Sequence, residues 1–167
     1  NDFVPIAQEL DLGAAGPVRF VFPHAPTRPV TINGGYVMRA WYDILAADLV
    51  RREDEAGLRA SQALVDALIA QERARGIPAG RIVLGGFSQG CAMTLLTGLR
   101  HAERLAGLVG LSGYLPLAAM TAAERSAAVS VLISWRSTAA APRSPPPAVR
   151  ICRAAVFISR LRLIVVA

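Results

Sequence analysis

Lysine is absent from this chain: all 18 basic residues are arginine. No apolar run approaches the roughly 18 residues needed to cross a bilayer, which argues against stable membrane insertion. The opening "NDFVPIAQEL" has neither the basic start nor the apolar stretch of a signal peptide, so a soluble cytoplasmic protein is expected. It also lacks an initiator methionine, which suggests that residue 1 is not a natural start. Cysteine is scarce. Cys91 and Cys152 form neither a disulfide framework nor a zinc-ligand spacing, so thiols that pack are expected, and no metal site.

Acidic residues are missing from one region altogether. Residues 1–128 carry 12 arginines against 12 Asp and Glu, whereas residues 129–167 carry six arginines and no acid, so the net charge of +6 belongs entirely to the tail. Without lysine, aromatic–basic interleaving or a groove-reading motif, no nucleic-acid partner is expected.

What is present divides at the same place. At 167 residues and 53% apolar content the chain suits one domain with a real core. "VRFVF" (18–22) alternates as a strand, and the proline-studded "PHAPTRP" (23–29) predicts a loop, because each proline removes a donor and disfavours helix before it. From Glu53 to Arg75, Leu58, Val65, Leu68 and Ile69 recur at helical spacing, and Gly76 and Pro78 end that helix. "RIVLG" (81–85) is a continuous apolar run, as in a strand covered on both faces; "CAMTLLTGL" (91–99) returns to helix, and "LAGLVGLSG" (105–113) to buried strand. Strands alternating with helices predict an α/β fold with a mostly parallel sheet flanked by helices.

The domain is therefore placed at 1–128, with 129–167 as a Pro-, Arg- and Ala-rich tail. The tail fits no periodic template. It reads as disordered, or, in its closing "VFISRLRLIVVA", as a short or aggregation-prone strand. Arginine, alanine, proline and serine enrichment with total loss of acid is also what out-of-frame translation of a GC-rich gene produces, and this third reading is favoured.

Gly86-Phe87-Ser88-Gln89-Gly90 is G-x-S-x-G between a predicted strand and a predicted helix. A tight strand-to-helix turn needs small residues two before and two after the serine, which is pushed into a strained conformation. Its hydroxyl then projects above the carboxyl edge of the sheet. The backbone N–H of Gln89, at the positive helix N-terminus, faces a developing oxyanion.

Three blocks, "RFVFPHAPTRPVTINGGYVMRAWYDI" (19–44), "RIVLGGFSQGCAM" (81–93) and "GLVGLSGYLP" (107–116), resemble in order and spacing the bacterial carboxylesterase, acyl-protein thioesterase and lysophospholipase family of α/β-hydrolases. The resemblance covers about residues 1–125. It implies a serine hydrolase of carboxylic esters or thioesters working through an acyl-enzyme, without cofactor or metal, on a small ester or acylated substrate; it leaves the oligomeric state open. It makes Ser88 the nucleophile and Gln89 an oxyanion donor, with Trp41, Leu115 and the loop around Thr31 to Gly35 near the acyl pocket. Cys91 stands where the family often has glycine.

The family pattern also extends past both ends of this resemblance, so an incomplete α/β-hydrolase fold is expected, lacking the first strand with its oxyanion loop and the Asp and His that follow the serine in the triad. The last acid here is Glu124, and the one histidine after Ser88 is His101. Thirteen mainly helical residues place His101 about 20 Å from the turn, so it is read as a solvent-exposed helix-end residue and not as the base. His24 is read as a rim or surface residue. A chain without triad partners is expected to be impaired, and the missing strand to expose a sheet edge and apolar surface. The competing reading is non-enzymatic: a residual hydrolase scaffold, or a truncated and frameshifted product whose basic apolar tail binds membranes or partners.

Overall fold

In the computed structural model, residues 3–49, 52–127, 132–135 and 161–166 are described. A five-stranded parallel sheet runs in the order β1 (Val18–Val21), β7 (Leu161–Val166), β4 (Ile82–Phe87), β5 (Gly107–Leu111), β6 (Leu132–Trp135). Helices α2 (Glu55–Ala74) and α3 (Gln89–Gly98) pack on one face. The short α1 (Val4–Glu9) lies over the other, and α4 (Ala118–Glu124) follows β5.

Strand alternation explains the two faces. Ile82 and Leu84 of β4, Leu108 of β5 and Ile164 and Val166 of β7 are fully buried. They meet Leu58, Val65 and Ile69 of α2 and Ala92, Met93 and Leu96 of α3 in one core. The intervening residues Gly85, Phe87, Val109, Leu111, Leu163 and Val165 face the other way, into an apolar groove of about 310 Å³ closed by Phe3, Ala7 and Leu10 and by Phe20 and Phe22.

The helix predicted from Glu53 to Arg75 is α2. Asp54 caps it, its Oδ1 accepting from Gly57 N at 2.9 Å, and Gly76, at φ 83°, turns the chain away. The loop predicted through Pro29 is corrected: Thr27–Val30 is strand β2, antiparallel to β3 (Tyr36–Arg39), with Pro29 opposite Val37. A two-stranded ribbon is all edge, so a proline there forfeits no interior ladder bond.

The tail does not lie wholly apart from the sheet. β6 pairs with β5, and β7, from the closing apolar stretch, sits between β1 and β4 with Leu163 opposite Phe20 on one side and Val83 on the other. For these two segments strand replaces the disordered reading. Arg162 of β7 donates to the buried Glu72 of α2 at 3.1 Å, and Arg19 of β1 lies 3.7 Å from the same carboxylate. The proline-rich stretch and Cys152 lie outside the described residues.

Candidate active site

Ser88 is the N-cap of α3, with φ 53° and ψ −116°, immediately after the last residue of β4. A non-glycine residue at such a φ is strained by its own Cβ, and only a surrounding structure that over-determines it keeps it there. Two restraints are visible: Ser88 N donates to Leu111 O of β5 at 3.0 Å, and Ser88 O accepts the first helical bond from Ala92 N at 3.2 Å. The preceding glycine is constrained as well. A Cβ on Gly86 would lie 2.2 Å from the Gly90 carbonyl and 2.6 Å from Val166 O, so the turn closes only when position 86 has no side chain.

Ser88 is exposed and opens onto a cleft of about 220 Å³ lined by Tyr42, Ile44, Leu49, Ser88, Gln89, Ser112, Gly113 and Tyr114. Gln89 opens α3, so its N–H is among the helix donors that have no intrahelical acceptor. Its side chain has a separate task. Oε1 accepts from Trp41 N at 2.9 Å and Nε2 donates to Tyr42 O at 3.0 Å, fixing the chain that carries one wall of the cleft.

The residues expected near the acyl pocket flank the walls of this cleft. Trp41 is buried in the core at 2% exposure, and it is its neighbour Tyr42 that reaches the cleft. Leu115 is half-buried beside the lining residue Tyr114. Thr31 is exposed and bound through its N (2.7 Å) and Oγ1 (2.5 Å) to Asp43, which precedes the lining residue Ile44. All three therefore lie next to the wall rather than in it. Tyr42 and Tyr114 meet edge to face, ring centroids 6.5 Å apart. Burial first, then the hydrogen bond to Tyr114 and the charge of Glu53, raise the Tyr42 phenol far above its ordinary value, and burial raises Tyr114 as well, so both stay neutral donors.

Among the described residues no histidine or carboxylate lines the cleft. His101 lies beyond the far end of α3, ten residues or about 15 Å of helix from the turn. It is not solvent-exposed as expected: its side chain is 16% exposed and Nδ1 lies 3.2 Å from Asp66 Oδ1, because the end of α3 packs against α2. His24 is exposed in the loop between β1 and β2. Cys91 is buried in the first turn of α3, its thiol raised by burial, and it packs where a Cβ on Gly113 would lie 2.6 Å from Sγ. That is the setting of a packing thiol rather than a nucleophile.

A parallel sheet flanked by helices, with a strained, exposed serine where a central strand passes into a helix, defines the α/β-hydrolase class. SOBER1 of Arabidopsis thaliana superposes with a TM-score of 0.65 at 25% identity over 87% of this chain and 72% of its own, and acyl-protein thioesterase 2 of Zea mays with 0.53 at 24% over 70% and 71%. The chain belongs to the phospholipase/carboxylesterase family, whose profile matches residues 11–135. Acyl-protein thioesterase 1 of Schizosaccharomyces pombe is 50% identical over 101 residues, and that of Neurospora crassa 53% over 105, each covering 60% of this chain. These relatives are fungal, and they lend no support to the bacterial branch that the resemblance had suggested. The chain spans less than half of their length, 45% and 43%.

Proposed function

We propose that this polypeptide carries the nucleophile of a serine hydrolase for carboxylic esters or thioesters. Ser88 Oγ attacks the acyl carbonyl, the carbonyl oxygen takes up negative charge beside the Gln89 N–H, the alcohol or thiol leaves, and water releases the acid from Ser88. The observation that carries this reading is the positive-φ, exposed Ser88 joined to the start of α3. The substrate class follows from the family and from the thioesterase names of its relatives. Tyr42, Ile44, Leu49 and Tyr114 form the acyl and leaving-group walls, with Trp41, Leu115 and Thr31 supporting them from behind. A cytoplasmic location belongs to the same reading. Among the described residues no helix is long and apolar enough to cross a membrane.

A second reading, a hydrolase scaffold without turnover, is favoured by one observation: the described cleft holds no base. Loss of the base alone costs on the order of 10⁴ to 10⁶ in turnover. Hydrolysis of p-nitrophenyl butyrate and labelling by a fluorophosphonate, each compared with Ser88→Ala, decide between the two. Turnover and labelling that depend on Ser88 support the enzyme, whereas an unlabelled, inert Ser88 in a folded chain supports the scaffold.

A further inference from the structure

We propose that Ser112 is a specificity-determining residue of this cleft, its hydroxyl donating a hydrogen bond to the leaving-group oxygen of a bound ester; the inference rests on the hydrolase reading above. β4 and β5 are in register with Phe87 opposite Leu111, so the next residues, Ser88 and Ser112, stand side by side where the two strands end. Both are exposed, both line the cleft, and both have positive φ, 53° and 49°. Glycine adopts that conformation without strain, and the chain places one at the very next position, Gly113. A serine kept at 112 therefore bears backbone strain while presenting a hydroxyl next to the nucleophile.

The other polar side chains of the cleft are engaged. The Gln89 amide holds the backbone of Trp41 and Tyr42, and the Tyr42 hydroxyl is bound to that of Tyr114. Ser112 Oγ has no hydrogen-bond partner among the described residues. The carbon attacked by Ser88 bears three other groups. The oxyanion belongs at the start of α3, by Gln89 N, and the acyl chain belongs against the apolar Ile44 and Leu49. The leaving atom is left to the β5 side, where Ser112 stands. The alkoxy oxygen of an ester is a modest hydrogen-bond acceptor but a better one than the larger, less polar sulfur of a thioester, so Ser112 favours oxygen esters over thioesters.

The test is binding, which needs no triad. In the Ser88→Ala background, the affinities of propyl butyrate and S-propyl thiobutyrate are measured by ligand-observed NMR, with Ser112→Gly, Ser112→Ala and Tyr114→Phe added singly. Glycine accepts φ 49° without strain, so Ser112→Gly keeps the fold, which circular dichroism checks. Ser112→Gly and Ser112→Ala are expected to weaken the oxygen ester about threefold to tenfold and the thioester less than twofold. Equal effects on both esters, no effect on either, no binding of either ester to the parent, or an effect that follows Tyr114→Phe instead would overturn the proposal. The hydrolase reading fails separately, on turnover and labelling of the unmodified Ser88.

Discussion

At position 86 a single methyl group would meet two main-chain atoms of Gly90 at 2.2 Å, and neither is free to retreat, since Gly90 is fixed in α3. Gly86→Ala is therefore expected to lower stability by about 1–3 kcal/mol and to displace the turn, reducing fluorophosphonate labelling. Ser88→Ala removes only an exposed hydroxyl and should leave the unfolding free energy from a urea titration within about 0.5 kcal/mol of the parent while abolishing labelling. Gln89→Ala separates the two roles of that residue. Its backbone N–H remains at the start of α3, but Trp41 N and Tyr42 O each lose a partner, at a cost of about 1–3 kcal/mol in a urea titration, with weaker ester binding through a loosened Tyr42. The turn was legible because its steric demand falls within five consecutive residues. The Gln89 side chain was not, since its partners lie 48 and 47 positions away. Trp41 and Leu115 were each one residue from a lining tyrosine. Composition marks the segment that reaches the cleft, but which neighbour turns inward is decided by packing. One signal was available, a serine after each of two consecutive strands, and it would have pointed to Ser112.

Among the elements, α2 was legible almost to its ends because its apolar period and the Gly76 stop agree. β2 was not, because proline chemistry argued for loop and only pairing with β3 overrides it. Nor was α4, seven residues whose stability comes from tertiary contacts rather than from its own length. Its last residue, Glu124, ties three elements together, accepting from Arg59 of α2 and from Arg100, just past α3, each at 2.6 Å. The bond to Arg59, then that to Arg100, lowers the Glu124 carboxyl from 4.5 to about 2, and the same pairing raises Arg59. A carboxyl depressed in the folded state stabilises it fully above the ordinary value and loses that contribution as pH falls from 4.5 towards 2. Glu124→Gln should accordingly lower Tm at pH 7, and the gap from the parent should close between pH 4.5 and 2. Because Glu124 is exposed, high salt should also narrow the gap at pH 7. A gap independent of pH in a thermal scan series would mean that the carboxylate charge is not what holds α4.

For the whole molecule, the informative feature is that the segment least legible in the sequence supplies a central strand. The break in acid content at residue 128 marks the tail as different in composition, but composition does not say where a strand pairs. β7 separates β1 from β4 and contributes Ile164 and Val166 to the core with no exposed surface, while Leu163 and Val165 face the groove under α1. These two alternating sets make the placement testable by paired substitutions within one strand. Ile164→Ala leaves a cavity against α2 and α3 and should cost about 2–5 kcal/mol in a urea titration. Ile164→Asp would bury an unpaired carboxylate and should unfold the chain. Leu163→Ser, on the partly open face, should cost clearly less than Ile164→Ala. If β7 pairs with β4 as described, hydrogen exchange at Val83 and Leu84 should accelerate in Ile164→Ala, since their strand then loses its backing on that side. A tail lying free of the sheet would make all three substitutions equivalent within about 0.5 kcal/mol and leave exchange in β4 untouched.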